Sequence, residues 1–263
     1  MSACAPVRTE SRPPSSVAAQ APASTGPSSV ASEPTASPSP CPSPPKSSRI
    51  SVYLTPHQDD ETLSMGMSIA HDIAVGDHVV VGLLTDGSAS VAIDMVNQRL
   101  AKEHRPLIDR AEFSAGRTNE FLAALDALGL SRDQVCIADL AVDQTLTVAR
   151  AEAHLRQWVA MGATIHTMRS TNDLNPDHRA LGEALAAVGD GQWMVYNRYW
   201  SETNMASCNY VDDRSVASRV RAAIKQYDVW NPSAQRYAIG WYSVGRYMSL
   251  KLVDPRDLAC DTP

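Results

Sequence analysis

Two short polar clusters carry most of the side chains in this chain that could perform chemistry. The first is "PHQDDE" at 56–61 and the second is "RSTNDLNPDHR" at 169–179. His57 and Asp60 lie three positions apart, close enough for one metal ion to take both, and His178 is the obvious third ligand. Two histidines, one carboxylate and a water make the open coordination of a catalytic zinc site, so we predict one bound Zn²⁺ there.

Asp59 adds a possible proton acceptor to this predicted metal site. It lies beside the predicted ligand Asp60 and is free to act as a general base. A zinc ion lowers the pKa of its bound water towards 7 and polarises a substrate carbonyl. The residue types therefore suit the attack of a water molecule on a carbonyl carbon.

Each cluster also has an ordinary structural explanation. A lone His-x-x-Asp pattern is common by chance. The acids at 59–61 could simply favour the dipole of a helix that begins there. "NPDH" at 175–178 could be a helix cap with proline in the first turn. The metal-site hypothesis gains weight because both clusters follow predicted strands of one sheet.

The rest of the chain alternates between strand and helix patterns. Short β-branched or apolar runs predict strands, and apolar residues at helical spacing predict helices. The strands are expected at 49–55, 78–87, 134–139, 163–169 and 192–197, and the helices at 62–77, 109–129, 147–161, 176–189 and 215–227. This alternation predicts an α/β fold, namely a Rossmann-like, mostly parallel sheet with helices on both faces, as a single domain over 49–263.

The predicted sheet explains why the two clusters could meet. In open α/β sheets, ligands bind outside the carboxyl ends of the strands. The first cluster follows the first strand, and the second cluster follows the fourth. Asp86 ends the second strand, so it is a candidate for lining the same pocket and binding substrate.

The first 48 residues differ from the rest in composition. Eleven of the 17 prolines fall there, mixed with serine and alanine, so we predict a disordered tether over 1–48. Cys4 in the opening "SAC" follows the kind of small residues that precede the lipidated cysteine of bacterial lipoproteins. This suggests an extracytoplasmic protein, secreted or lipid-anchored at Cys4 on a bacterial surface. The alternative is a cytoplasmic protein with a flexible N-terminus.

Charge and hydropathy exclude several classes of partner. The net charge is −6 and no basic block is present, which disfavours nucleic acid as a partner. No run of 18 apolar residues exists, so we predict no transmembrane span. The five cysteines show no C-x-x-C spacing, so neither a cysteine zinc site nor a thioredoxin-like redox pair is indicated.

The two clusters also carry a resemblance to a known family. "PHQDDETLSMG" resembles the PHPDDE signature of the PIG-L/LmbE-like zinc N-deacetylases, and "NPDHRALG" resembles that family's second motif, usually H-P-D-H-R. "RTNEFLAALDALG" at 117–129 is similar to the family's R-x-x-E-x-x-x-A-x-x-x-L-G helix. The resemblance covers about 49–190. It implies a metal-dependent N-deacetylase, a C–N amide hydrolase.

The resemblance also implies roles for individual residues. By motif position it keeps the three zinc ligands named above and Asp59 as the general base. Arg117 corresponds to a substrate-facing arginine at the start of the family's helix. Asp143 in "LAVDQTLT" resembles, more loosely, a "PDG-L" element that reaches substrate hydroxyls.

Two positions depart from the family's pattern. Gln58 replaces the second proline of the signature, which loosens the turn without removing a ligand. Asn175 replaces the first histidine of H-P-D-H, a residue associated with stabilising the oxyanion. An asparagine amide still donates a hydrogen bond, but it carries no charge and relays no proton. Asp59 would then act as both base and acid.

The substrate implied by the resemblance is an N-acetylated amino sugar in a glycan or glycoconjugate. A related amidase acting on a larger acyl or thiol conjugate is the nearest rival. A non-catalytic carbohydrate-binding protein on the same fold is a second rival. A nucleotide-binding Rossmann module is disfavoured because no glycine-rich loop follows the first strand. Aromatic side chains that could stack on sugar rings, or could equally be packing residues, are Tyr196, Tyr199, Trp200, Trp230, Trp241 and Tyr242.

Overall fold

A computed structural model describes Cys41 and residues 49–169, 173–189 and 191–261. The described residues belong to one compact unit that spans 37–263. Cys41 is the one residue of the predicted tether (1–48) that the structure describes. The candidate lipid-attachment residue Cys4 lies outside the described residues. Within the described part of the chain, no helix is long and apolar enough to cross a bilayer.

Seven strands form one mostly parallel sheet, which confirms the predicted sheet and adds two strands to the five that the sequence predicts. The strands of this sheet are β1 (Ile50–Thr55), β2 (His78–Thr85), β3 (Val135–Ala141), β4 (Thr164–Met168), β5 (Gln192–Met194), β6 (Cys208–Val211) and β9 (Asp257–Asp261). Two further strands, β7 (Trp230–Asn231) and β8 (Arg236–Tyr237), form a separate two-stranded sheet. The strand order is β3-β2-β1-β4-β5-β9-β6. Strands β1 to β5 pair in parallel, whereas β9 runs antiparallel to both β5 and β6.

Helices cover both faces of this sheet. They are α1 (Asp60–Val75), α2 (Ala92–Lys102), α3 (Arg110–Leu128), α4 (Val148–Val159), α5 (Pro176–Val188), α6 (Ala217–Gln226) and α7 (Ile239–Val253). Alternate residues of β1 enter different cores: Tyr53 packs with α1, α3 and α6, while Val52 and Leu54 pack with α4 and α5. A strand buried on both faces needs a nearly continuous apolar sequence, which is what β1 and β2 have.

The order of the strands creates the site. The chain winds from β1 outward to β3 and then returns to place β4 on the other side of β1. Parallel sheets leave a crevice at such a switch point, outside the carboxyl ends of the two strands. The first polar cluster follows β1 and the second follows β4, so both open into this crevice.

Two disulfides join parts of the chain that are distant in sequence. Cys208 and Cys260 are cross-strand partners in the β6–β9 ladder and are disulfide-bonded, with a sequence separation of 52 residues. Cys41 is disulfide-bonded to Cys136 of β3, across 95 residues. Cys41 falls inside the stretch predicted to be a tether, so the structure attaches that stretch to the sheet at this point.

Candidate active site

The first polar cluster lies in the turn between β1 and α1. Thr55 closes the end of the strand by donating a hydrogen bond from Oγ1 to the carbonyl of His57 at 3.0 Å. Asp60 is the first residue of α1, and its Oδ2 accepts a hydrogen bond from the backbone N–H of His57 at 3.2 Å. The turn therefore fixes His57 and Asp60 relative to each other before any ligand is bound.

The second cluster forms the N-terminus of α5. Asn175 is the N-cap, and its side-chain oxygen accepts hydrogen bonds from the backbone N–H groups of Asp177 at 2.8 Å and His178 at 3.4 Å. Pro176 occupies the first position of the helix, where a missing N–H group costs nothing. This cap sets the first turn of α5, and the first turn carries His178.

The structure brings the three predicted metal ligands together. His57 Nδ1 lies 3.1 Å from Asp60 Oδ2 and 3.2 Å from His178 Nε2, and His178 Nε2 lies 3.1 Å from the same Asp60 oxygen. A tetrahedral zinc ion with bonds of about 2.0–2.1 Å needs ligand atoms about 3.3–3.4 Å apart. The three atoms therefore fit a zinc ion with little adjustment and leave a fourth position open.

A second group of acids supports the other side of His57. Its Nε2 lies 3.1 Å from Asp177 Oδ2 and 3.2 Å from Asp143 Oδ1. These three residues could also hold a metal ion by distance alone. However, Asp177 already accepts backbone N–H bonds from Gln144 and Leu146 at 2.7 and 2.9 Å. We therefore assign the second group to orientation of the imidazole, since ligand histidines commonly donate their other N–H to a carboxylate.

The acids of the site shift the pKa values of both histidines. Burial alone would lower the pKa of His178, but the charge of Asp60 and the hydrogen bond to Asp173 raise it to about 9. For His57, burial is likewise outweighed by hydrogen bonds to Asp143, Asp177 and Asp60, which raise its pKa well above the ordinary value. The carboxylates that raise the two pKa values place negative charge around both imidazoles, and the same charge would attract a divalent cation.

Asp59 has a different environment from its neighbour Asp60. Its Oδ2 accepts a hydrogen bond from Arg117 Nη2 at 3.1 Å, and Arg117 Nη1 donates to the Gly87 carbonyl at 2.9 Å. Burial raises the pKa of Asp59 to about 6, against the positive charge of Arg117, which lowers it. The pKa of Asp60 moves the other way, because the charges of the two histidines and their hydrogen bonds outweigh its burial.

These side chains line one pocket of about 560 Å³. That volume is ordinary for a small-molecule site. Seven of the eight residues that the sequence assigns to catalysis, metal binding or substrate binding are in its wall: His57, Asp59, Asp60, Arg117, Asp143, Asn175 and His178.

Asp86, the eighth predicted residue, is not in the pocket wall. Its Oδ1 instead accepts hydrogen bonds from the backbone N–H groups of Ser88 at 3.0 Å and Asp143 at 2.9 Å. The prediction that Asp86 lines the pocket is therefore replaced by a role in bracing the two loops that hold Asp143. Asp86 does follow the end of β2, as predicted, but its carboxylate points towards backbone N–H groups and not into the pocket.

The structure adds wall residues that the sequence did not single out. Asp173, which accepts a hydrogen bond from His178 Nδ1 at 2.7 Å, stands two positions before the cap in the second cluster. Tyr247 comes from α7, a helix that was not predicted, and Arg198 lies near its ring. Of the six aromatic candidates, Tyr196 and Tyr199 line the pocket.

The other four aromatic candidates are absent from the pocket wall. Trp200 packs against Tyr210 with ring centroids 5.4 Å apart. Trp230 lies beneath the guanidinium of Arg99 at 3.9 Å. Trp241 and Tyr242 lie on α7 and pack against separate apolar clusters.

Comparison with known proteins adds a family and a fold. The sequence model of the PIG-L family, described as GlcNAc-PI de-N-acetylase, matches residues 52–188. A 1D-myo-inositol 2-acetamido-2-deoxy-alpha-D-glucopyranoside deacetylase of Mycolicibacterium vanbaalenii is 28% identical over 179 residues. That match covers 59% of this chain and 60% of the relative, so the chain spans about three-fifths of the relative's length.

Two solved structures show a similar fold. The A40926 pseudoaglycone deacetylase Dbv21 superposes with a TM-score of 0.54 at 20% identity, covering 81% of this chain and 96% of that one. A deacetylase triple mutant of the teicoplanin biosynthetic pathway gives a TM-score of 0.57 at 17% identity, covering 81% and 97%. At sequence identities of 17–20%, these similarities show a shared fold and nothing further.

Proposed function

The chain belongs to the PIG-L (GlcNAc-PI de-N-acetylase) family, and from this premise we propose that it is a zinc-dependent N-deacetylase. Its substrate would be an N-acetylated amino sugar within a glycan or glycoconjugate. The observation that carries the proposal is the triangle of His57, Asp60 and His178 ligand atoms, 3.1–3.2 Å apart, in a pocket shared with Asp59. The relative found by sequence and the solved structure of similar fold are both named deacetylases, which supports the same reaction class.

His57, Asp60 and His178 would hold the zinc ion. When bound there, zinc supplies a water of lowered pKa and polarises the acetyl carbonyl. The three side chains are buried and prearranged, with exposures of 4–6%. The donor set of two imidazoles and one carboxylate is the one expected of a catalytic zinc site with an open position.

Asp59 would move the proton. The hydrogen bond from Arg117 fixes one of its oxygens, and its pKa of about 6 leaves it ionised at neutral pH yet able to hold a proton transiently. It takes the proton from water as the new carbon–oxygen bond forms. It then gives a proton to the amine nitrogen as the carbon–nitrogen bond breaks and acetate leaves.

The remaining pocket residues would position the sugar. Asp143 would act first on His57, because its Oδ1 lies 3.2 Å from His57 Nε2 and its Oδ2 accepts a hydrogen bond from the backbone of Ala89 at 3.0 Å. Tyr196 and Tyr199 offer aromatic faces of the kind that stack on sugar rings. Arg117 would act on Asp59 first, because both of its terminal nitrogens already donate within the protein.

An extracytoplasmic location is part of the proposal. Structural disulfides persist in oxidising compartments and are rare in the cytoplasm of mesophiles. The Cys41–Cys136 and Cys208–Cys260 bonds therefore support a secreted or surface-attached protein. Attachment through a lipid on Cys4 would fit the same location.

The test combines metal analysis with acetate release. Purified protein should contain one zinc per chain and release acetate from N-acetylglucosamine glycosides, N,N′-diacetylchitobiose or cell-wall fragments. Asp59→Asn should retain zinc and lose at least about 10²-fold in kcat, since it removes the general base. His178→Ala should lose zinc. Asp126→Asn, which removes an exposed carboxylate on α3, should change neither.

Specific results would contradict the proposal. Absence of stoichiometric zinc after gentle purification would contradict the proposed zinc dependence. Near-wild-type turnover of Asp59→Asn would contradict the role of Asp59 as general base. Release of a longer acyl group in preference to acetate, measured on an acyl-chain series, would favour the related amidase.

A further inference from the structure

Tyr196 carries a hydroxyl group that has no hydrogen-bond partner in the part of the chain that the structure describes. The residue follows β5 and lines the pocket that holds His57 and Asp59, yet it is only 8% exposed. Its hydroxyl is buried and makes no hydrogen bond to any of the described residues. We propose that Tyr196 is a further catalytic residue, whose hydroxyl donates a hydrogen bond to the oxyanion formed from the substrate's acetyl carbonyl. The proposal rests on the deacetylase function proposed above.

Other buried tyrosines show that this fold normally satisfies such groups. The hydroxyl of Tyr53 donates to Asp72 Oδ2 at 2.7 Å, and that of Tyr227 donates to Glu61 Oε1 at 2.5 Å. Both side chains are fully buried. A buried hydroxyl without a partner is unfavourable, so its retention in an active-site wall indicates a partner that arrives with the substrate.

The ring of Tyr196 is held in place by its neighbours. Its centroid lies 5.2 Å from that of Tyr247 and 6.2 Å from that of Tyr199, and both neighbours also line the pocket. Packed aromatic rings of this kind leave little freedom to turn the hydroxyl elsewhere. A donor fixed before the reaction needs no reorganisation when charge develops on the substrate.

The electrostatic surroundings keep this hydroxyl protonated. Burial, followed by the negative charges of Asp59 and Asp60, raises the pKa of Tyr196 above that of an ordinary tyrosine. Tyr196, Asp59 and Asp60 line the same pocket, so the residue shares the wall with the predicted catalytic groups. It can therefore donate a hydrogen bond over the whole neutral range, but it is a poor proton donor.

Asn175 explains why a second donor is needed. The resemblance to the family places an oxyanion-stabilising histidine at this position, where the chain has asparagine. The side-chain oxygen of Asn175 accepts hydrogen bonds from two backbone N–H groups at the start of α5, so the cap sets the plane of its amide. A neutral amide constrained in this way offers less to a developing negative charge than a protonated imidazole does.

The step assigned to Tyr196 involves no proton transfer. As the oxygen of water bonds to the acetyl carbon, the π electrons of the carbonyl move onto its oxygen. The O–H of Tyr196 shortens its hydrogen bond to that oxygen and keeps its proton. When the carbon–nitrogen bond breaks, the electrons return to form the carboxylate of acetate. The interaction is stronger in the transition state than in the bound substrate, so it should raise kcat more than it lowers KM.

Tyr196→Phe tests the role because it removes one oxygen atom. We expect kcat to fall by about 10- to 100-fold, in the lower range of losses seen for a single oxyanion donor, with KM within twofold and zinc content unchanged. The melting temperature should stay the same or rise, because an unpartnered polar atom has been removed.

Tyr53→Phe is the matched control. It also removes one buried tyrosine hydroxyl, but that hydroxyl is hydrogen-bonded to Asp72, and Tyr53 belongs to none of the groups proposed to act on the substrate. It should lower the melting temperature and leave kcat unchanged. The two variants thus have opposite expected effects on stability and on turnover. A kcat for Tyr196→Phe within threefold of wild type would overturn the proposal.

A binding measurement separates this proposal from the deacetylase function. The probe is the methylphosphonamide of glucosamine, whose tetrahedral phosphorus mimics the adduct, titrated calorimetrically into zinc-loaded protein. Wild type should bind it at least 10-fold more tightly than Tyr196→Phe does, and equal binding would overturn the role of Tyr196. Absence of acetate release from wild type would instead overturn the proposed function, and the comparison of probe affinities would still decide the role of the hydroxyl.

Discussion

At the residue scale, the two candidate zinc-binding histidines are oriented by carboxylates on the side facing away from the metal position. His178 presents Nε2 to the position, while its Nδ1 lies 2.7 Å from Asp173 Oδ2. His57 is reversed: Nδ1 faces the position, and Nε2 faces Asp177 and Asp143. Such carboxylate partners fix the tautomer of a ligand histidine and raise its basicity. Under the proposed function, the acids of this site would therefore divide into a ligand, a base and orienting groups.

The orienting role of Asp173 can be measured. Asp173→Asn removes the charge behind His178 while keeping an acceptor atom, so it should weaken zinc binding by about 10- to 100-fold. The measurement is competition of apo protein with a zinc chelator of known affinity. Asp213→Asn is the matched control, because Asp213 forms the same kind of pair with His71 Nδ1 at 2.9 Å, away from the site. Equal zinc affinities of the two variants would contradict the assignment.

Local sequence predicted which candidate ligands would meet in the pocket better than it predicted the residues behind them. His57, Asp60 and His178 could be predicted because each stands in a polar motif directly after a buried strand. Asp173 stands in the same stretch, but nothing in the sequence distinguishes an orienting acid from a solvated one. Tyr196 was one of six aromatic candidates, and only its position in the packed structure separates it from Trp200.

At the element scale, the N-terminus of α5 links stability to metal binding. Its cap, Asn175, satisfies two backbone N–H groups, and the third residue of the helix is His178. A change at the cap should therefore affect the fold and the site together. The family's histidine at this position would be a poorer cap than asparagine, so the chain combines a better helix start with a weaker group for charge stabilisation.

Replacing the cap separates these contributions. Asn175→Ala should lower the free energy of unfolding by about 1 kcal/mol, since it leaves two backbone donors without their acceptor. Asn175→Ser should retain most of the stability, because serine is also a good N-cap. Urea unfolding followed by circular dichroism measures both. Equal losses for the two variants would show that the cap hydrogen bonds are not what Asn175 contributes.

The elements that could be predicted are those with a strong local pattern. Strands β1 to β5 and helices α1 and α3 to α6 were expected close to their observed bounds. Helix α2 was missed, although Ile93, Val96 and Leu100 have helical spacing and face a small apolar cluster. The insertion of β9 between β5 and β6 could not be predicted, because it depends on pairing between Trp193 and Cys260, which are far apart in sequence.

Helix α7 shows how a non-local element completes the pocket. Its N-terminus is held by Glu120 of α3, whose carboxylate accepts hydrogen bonds from the backbone N–H groups of Tyr237, Ile239 and Gly240 at 2.9–3.1 Å. The helix is interrupted at Val244, and this part of it lines the pocket with Tyr247. No local pattern indicates that a helix near the C-terminus returns to the carboxyl end of β1.

At the scale of the whole molecule, two disulfides tie distant parts of the sequence to the sheet. One disulfide joins Cys41 to Cys136 of β3, which lies 95 residues later in the sequence. The other joins β6, an edge strand of the sheet, to its neighbour β9. Cross-links that close loops of 95 and 52 residues restrict the unfolded chain and should stabilise the folded one. A protein proposed to work outside the cytoplasm has no reducing environment to open them.

The last prediction concerns the number of free thiols and the stability that the disulfides provide. The chain has five cysteines, and the four in the described residues are paired, so protein produced without lipid on Cys4 and unfolded without reductant should show one thiol, that of Cys4. Cys208→Ser combined with Cys260→Ser should lower the free energy of unfolding by about 2–4 kcal/mol in urea, whereas Cys4→Ser should leave it unchanged. Thiol titration giving five reactive groups before reduction would contradict both the bonds and the oxidising location inferred from them. One thiol together with a destabilised double variant would show that the Cys208–Cys260 bond stabilises the β6–β9 edge of the sheet, beside β5, the strand that leads to Tyr196.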